Sequence, residues 1–302
     1  MLERGSGSVV RDVEGESYLD FNAGQMCSAL GHSHPRVVAA VAEQLRVLVH
    51  SSSTFHNTRE IELAERLAAT LPQPLSKCLF GLSGSDANEA ALGIAKAATG
   101  RFEVASPHAS FHGLSDTSRQ LTFAFGHSRL PRRPGSFALL APYCLRCPVG
   151  HTFPSCELAC LGGSLELLDA QASNGVAAVI TEPLFSAGGV IEPPAGWLRA
   201  LAEATRSRGA LLILDEEQTG LAKLGTMWAF EREGVVPDFL TVSKHLGGGL
   251  AISAVVMSEE SEEIEGLELV PRTARLRPRP AHRSSAPASR PGCFSAFAGV
   301  AR

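Results

Sequence analysis

The sequence predicts an α/β fold: a mostly parallel seven-stranded sheet with helices on both faces. Three observations predict it. Seven short runs rich in Val, Ile, Leu and Phe recur between residues 77 and 257, and strands covered on both faces carry such near-continuous apolar runs. Helical or glycine-marked segments separate most of these runs, the alternation expected of strand–helix units. Two runs also end on charge: Leu211-Leu212-Ile213-Leu214 delivers Asp215, and Phe239-Leu240-Thr241-Val242 delivers Ser243-Lys244. Open α/β sheets bind ligands beyond the carboxyl ends of their strands, so both groups are expected on one rim.

In chain order, Ser8–Arg11 and Ser17–Phe21 flank the turn Asp12–Gly15 and are expected to form a hairpin in an N-terminal lobe, residues 1–50. His32 and His34 form an H-x-H pair, but zinc needs further ligands, so loop packing is the better reading. Val37, Val38, Val41, Leu45 and Leu48 fall at helical spacing after Pro35. Ile61, Leu63, Ala64, Leu67 and Leu71 repeat the pattern after Thr58, the expected N-cap. The large domain, 51–260, is expected to hold strands near 77–82, 102–105, 136–140, 176–181, 210–214, 239–242 and 252–257. Helices are expected from Ser83 through Ala98 and from Trp197 to Arg208.

With 302 residues, 44% hydrophobic and 19% charged, the chain has enough apolar material for a sizeable core. The first residues, MLERGSGSVV, have no apolar signal core, and no apolar run approaches a membrane span, so a cytoplasmic protein without membrane contact is expected. Seven of the 27 basic residues lie within 271–302, against none of the 31 acidic ones. The body is therefore acidic and not suited to nucleic acid, whose phosphates need clustered Lys and Arg. Residues 261–302, rich in Arg, Pro, Ala and Ser without hydrophobic period, are expected to be disordered.

The chemistry-bearing residues cluster around the strand ends. A lysine that forms a Schiff base, with an aspartate that keeps a pyridine nitrogen protonated, is what pyridoxal phosphate chemistry requires; Lys244 and Asp215 supply the pair. Ser83, Gly84 and Ser85 stand where a helix opens, and small residues there leave backbone N–H groups free for a phosphate. Phe111-His112-Gly113 follows the second large-domain strand, where Phe111 by itself reads as a core residue. Glu182 follows the strand at 176–181. Cys144, Cys147, Cys156 and Cys160 allow two readings, a zinc tetrad or free thiols, of which the second is favoured.

Asp215-Glu216-Glu217-Gln218-Thr219-Gly220, followed by Ser243-Lys244 and Gly247-Gly248-Gly249, resembles the signature of the class-III aminotransferases, fold type I pyridoxal phosphate enzymes. The likeness runs from about Arg11 to Met257 and within the family is greatest to 2,2-dialkylglycine decarboxylase. It implies a fold type I large domain with an antiparallel last strand, pyridoxal 5'-phosphate as cofactor, and amino acid and 2-oxo acid substrates. A homodimer is implied as well. By the same likeness Phe111-His112-Gly113 is the aromatic-His-Gly segment at the cofactor, with the Phe111 ring on one face of the pyridine and His112 beside it, Gln218 bonds the ring hydroxyl, Glu182 sits at the rim of the site on the substrate side, and Gln25 in Gly-Gln-Met bonds the substrate carboxylate that is lost. Two departures stand out. Glu217 replaces a small apolar residue that packs on the ring, and after Met257 the pattern of the family's small C-terminal domain is absent. The functional readings left open are an active aminotransferase, simple or decarboxylating, a lyase of the same family, and a non-catalytic fragment that keeps the fold.

Overall fold

The computed structural model describes residues 1–52, 55–124 and 131–262. A three-stranded antiparallel sheet opens the chain, with β1 (Leu2–Ser6), β2 (Val9–Asp12) and β3 (Ser17–Leu19) in the order 1-2-3. The β2–β3 hairpin is the one expected. Asp12 closes its turn by accepting the backbone N–H groups of Glu14 and Glu16, both at 3.0 Å. β1 is an addition. Its sequence, Leu-Glu-Arg-Gly-Ser, is exposed along almost its whole length and so carries no apolar alternation to betray it.

Next comes α1 (Ala23–Met26), a single turn of left-handed hand, with φ of 50°, 60°, 58° and 66° along its four residues. The helices α2 (Pro35–Val47) and α3 (Thr58–Ala68) follow. His32 is held structurally: its Nε2 lies 2.6 Å from Asp20 Oδ2, and its ring packs against Gly5, where a Cβ would come within 2.9 Å of it. The N-cap of α3 is Asn57 rather than Thr58, because the Asn57 side chain accepts the Arg59 N–H at 2.9 Å while Thr58 is already helical. Asn57→Ala should therefore cost about 1 kcal/mol, read as a lower urea midpoint, whereas Thr58→Ala should cost less than half of that.

The large sheet has seven strands in the order β4-β10-β9-β8-β7-β5-β6. These are β4 (Lys77–Gly81), β5 (Val104–Pro107), β6 (Ser136–Leu139), β7 (Ala178–Thr181), β8 (Leu211–Asp215), β9 (Phe239–Val242) and β10 (Ser253–Met257). Strand β10 is antiparallel to both β4 and β9, and the remaining pairs are parallel. Two antiparallel steps restore direction, so β4 ends on the same rim as β5, β7, β8 and β9. This topology brings the scattered motifs to one edge.

The helices of the large sheet are α4 (Gly84–Thr99), α5 (Asp116–Gln120), α6 (Ala159–Gln171), α7 (Trp197–Ser207), α8 (Lys244–Gly247) and α9 (Glu259–Glu262). Two buried clusters cover opposite faces of the sheet. Ile213, Phe239, Val255 and Met257 pack with Ala87, Ala91, Leu92 and Ala95 of α4. Leu212, Leu214, Leu240, Val242, Ala254 and Val256 pack with α3, α6 and α7 through Leu67, Leu165 and Leu201. Alternate residues of one strand thus enter opposite cores, the period of two that a pleated strand imposes. Among the described residues no helix is long and apolar enough to cross a membrane. The expected tail lies outside the described residues from 263 onward.

Candidate active site

The alternation that builds the two cores also aims the site. Ile213 faces α4, so Asp215, two residues on, faces it as well; Phe239 faces α4, so Thr241 does too. Between them Asn88 of α4 makes the junction. Its amide donates to Asp215 Oδ2 at 2.9 Å and to the His112 carbonyl at 2.8 Å, and its Oδ1 accepts the Thr241 hydroxyl at 2.7 Å. His112 Nδ1 lies 2.9 Å from the same Asp215 oxygen, and because an ionised carboxylate can only accept, this nitrogen carries the proton. Burial pushes the Asp215 carboxyl up, but the His112 bond and charge, Lys244 and Asn88 together hold it below the usual carboxylate range. The result is a fixed, buried anion at the strand end.

Sequence reasoning placed His112 on the cofactor; the structure places its ring behind Asp215, where it orients the carboxylate. It missed Asn88 and Thr241 altogether. A signal for Asn88 existed, since residues 88, 91, 92 and 95 form one helical stripe, and a polar group within an otherwise apolar stripe needs a partner.

The opening of α4 is a capping box. Ser83 Oγ accepts the Asp86 N–H at 3.3 Å, and Asp86 Oδ2 accepts the Ser83 N–H at 2.9 Å. Ser85 Oγ accepts the Leu114 N–H at 3.2 Å. Both hydroxyl oxygens therefore accept local backbone N–H groups. What the helix start still offers is its first-turn backbone N–H groups, which have no intrahelical acceptor, with Gly84 buried among them. Gly113 shows how close the neighbouring loop runs: its φ is +130°, and a Cβ there would lie 2.4 Å from Ser85 Oγ.

Lys244 opens α8 at the end of β9, and its Nζ lies 3.6 Å from Glu217 Oε2. Glu182 was expected at the rim of the site. Instead it is 2% exposed and accepts the N–H groups of Phe111 at 2.9 Å and Ser186 at 3.3 Å. Burial and the charge of Asp215 push its carboxyl well above the ordinary value. Ser186 also donates to Gln218 Oε1 at 2.9 Å and lies 3.9 Å from Met26 Sδ, which ties the left-handed turn carrying the exposed Gln25 to the site. Phe111 is half-buried. The zinc reading of Cys144, Cys147, Cys156 and Cys160 finds no support, since among the described residues no three His, Cys, Asp or Glu side chains converge on a metal position.

Glu216 and Glu217 diverge. Glu216 turns to the face opposite Asp215 and accepts the N–H groups of Ala229 at 2.8 Å and Phe230 at 2.9 Å and the Thr219 hydroxyl at 3.0 Å. Burial raises its carboxyl to about 7. Glu217 returns to the Asp215 side, and burial followed by the charge of Asp215 raises it to about 8. Both acids stay protonated in the folded chain at pH values where the unfolded chain has already ionised near 4.5. Folding then retains protons that unfolding releases, so stability falls as pH rises from about 4.5 to 8 and levels off above that. Glu217→Gln should flatten the upper part of this decline; thermal midpoints at pH 5 and 8.5 that differ as much as in the parent chain would contradict it.

Pyridoxal phosphate fits this donor set on structural grounds. A buried anion, an amine and the first-turn N–H groups of a helix lie on one rim, and Gly84 has no side chain to fill the space at that helix start, which the Glu217 carboxyl group enters. The family profile for aminotransferase class-III matches residues 1–265. An uncharacterized aminotransferase of Schizosaccharomyces pombe is 40% identical over 87% of this chain and 59% of its own length. Acetylornithine aminotransferase of Methanothermobacter thermautotrophicus is 36% identical over 86% of this chain and 61% of its own. An amine transaminase from an uncultivated Pseudomonas species, solved in its pyridoxal phosphate-bound form, superposes with a TM-score of 0.80 at 29% identity, covering 92% of this chain and 67% of that one. The chain thus spans about 60% of the length of these curated relatives.

Proposed function

We propose, from the premise that this chain belongs to the class-III aminotransferase family, that it acts as a pyridoxal 5'-phosphate-dependent aminotransferase moving an amino group between an amino acid and a 2-oxo acid. The observation that supports this best is the convergence of Asp215, Lys244 and the α4 start on one rim, with Asn88, His112 and Thr241 holding the aspartate in place.

When bound, the cofactor supplies a cationic pyridine ring that takes up the electrons left when a bond at the substrate α-carbon breaks. Asp215 keeps a proton at the ring nitrogen, and its buried bonds to Asn88 and His112 keep it ionised for that task. Lys244 Nζ would be the nucleophile that holds the cofactor and the base for the α-proton. The Gly84 and Ser85 backbone N–H groups would receive the phosphate. Phe111 would cover the ring and exclude water. Gln218, whose Oε1 accepts the Ser186 hydroxyl, would have its NH2 group left to donate to the ring hydroxyl. Glu182 fixes the Phe111 backbone by accepting its N–H.

The relatives named for acetylornithine and for diaminobutyrate with 2-oxoglutarate support an ω-amino donor with 2-oxoglutarate as acceptor. A decarboxylating variant rests on Gln25, whose turn reaches the site through Met26 and Ser186. Release of CO2 from a 2,2-dialkylglycine tests it, and transamination without CO2 removes it. A homodimer is proposed from the family likeness, with light scattering as its test. For the main reading, the full chain loaded with cofactor should convert 2-oxoglutarate to glutamate with an amino donor; no conversion with any donor by a loaded protein would favour a fold-retaining, non-catalytic chain.

A further inference from the structure

We propose that the Glu217 side chain is an internal plug that occupies the anion cradle at the start of α4, so that a phosphorylated ligand enters only when its carboxyl group leaves Gly84. The identity of that ligand as the cofactor rests on the aminotransferase reading.

Glu217 reaches the cradle because the chain alternates past the end of β8. Asp215 faces α4, Glu216 turns to the opposite face to hold the backbone at 229–230, and Glu217 comes back toward α4. Its carboxylate lies directly against Gly84, the first residue of α4: a Cβ built there would sit 1.7 Å from Oε2 and 1.8 Å from Oε1. The glycine leaves the space and the carboxylate fills it.

Two observations mark the arrangement as a stand-in rather than a settled core contact. Glu217 is 9% exposed, and its buried Oε1 has no hydrogen-bond partner. Its nearest cation, Lys244 Nζ, is 3.6 Å from Oε2, longer than a charge-assisted hydrogen bond. A buried carboxyl group that is neither fully bonded nor closely paired is costly. A phosphate received by the first-turn N–H groups of α4 would need the space that this carboxyl group fills against Gly84. Above about pH 8, where Glu217 ionises, the two would also meet as like charges. Both groups cannot occupy the cradle, so Glu217 lowers the affinity that Asp215, Lys244 and α4 would otherwise give. A small apolar residue at this position would leave the cradle open.

The test uses the full chain, Glu217→Val and the size-matched Glu217→Gln, titrated with pyridoxal 5'-phosphate and separately with inorganic phosphate. Binding is followed by tryptophan fluorescence and by thermal midpoint. At pH 8.5, where Glu217 is ionised, Glu217→Val is expected to bind both ligands about tenfold or more tightly than the parent, with Glu217→Gln between them. Without ligand the valine variant is expected to melt higher at pH 8. Equal or weaker binding of both ligands by both variants would overturn the inference, and if the valine variant does not fold, the glutamine variant decides. The predicted order with phosphate, in proteins that take up no pyridoxal phosphate, would uphold the cradle inference and overturn the cofactor reading instead.

Discussion

Lys244→Ala should abolish covalent capture of pyridoxal phosphate and lower amino transfer by at least about 10³-fold. The size of the effect follows from two duties resting on one amine. On the proposed function Lys244 would be both the nucleophile that fixes the cofactor and the base that moves the α-proton, and it follows β9 as Asp215 ends β8, the adjacent strand. Removing it also strips Glu217 of its nearest cation. The variant should therefore hold cofactor only loosely and show none of the near-visible absorption of a lysine-linked ring. Retention of that absorption at parental intensity would show that another amine captures the cofactor.

Trp228→Ala should destabilise the fold by about 3–5 kcal/mol, the second large effect. Trp228 is fully buried, stacks on Phe230 with centroids 6.5 Å apart, and donates its indole N–H to Thr70 Oγ1 at 3.1 Å. Its ring lies flat on Gly220, where a Cβ would come within 2.7 Å. The turn from Asp215 to Gly220 thus leans on this indole from one side while Glu216 ties it to the Ala229 and Phe230 backbone from the other. Losing the ring opens a cavity beneath the residues that carry Gln218 and Glu217, so cofactor affinity should fall along with stability. A urea-derived loss under about 1 kcal/mol would contradict this account of the turn.

The sheet was legible in the sequence because five of its seven strands are almost wholly buried and so read as apolar runs, each found to within about two residues. Asp215 and Lys244 were legible for the same reason, as charged residues that end such runs. What escaped were residues whose roles depend on direction. Asn88 and Thr241 look like ordinary helix and strand polar groups until the alternation that starts at Ile213 and Phe239 is carried across the space between sheet and helix. Glu182 was placed at the rim of the site by likeness alone, and nothing in the sequence showed that the Phe111 and Ser186 N–H groups draw its carboxyl group inward. Ser83 and Ser85 were placed correctly at the start of α4, but local bonds to Asp86 and Leu114 engage their side chains. Glu217 was visible as a departure from the family pattern. That its carboxylate would lie on Gly84 was not, since the contact spans more than a hundred residues of chain.

Trapping the cofactor on the protein tests the central claim most directly. The full chain is incubated with pyridoxal 5'-phosphate, reduced with borohydride, digested, and its modified peptide identified by mass spectrometry. The account predicts a single stoichiometric adduct on Lys244. Adducts spread over other lysines such as Lys96 and Lys223, or none on Lys244, would contradict it.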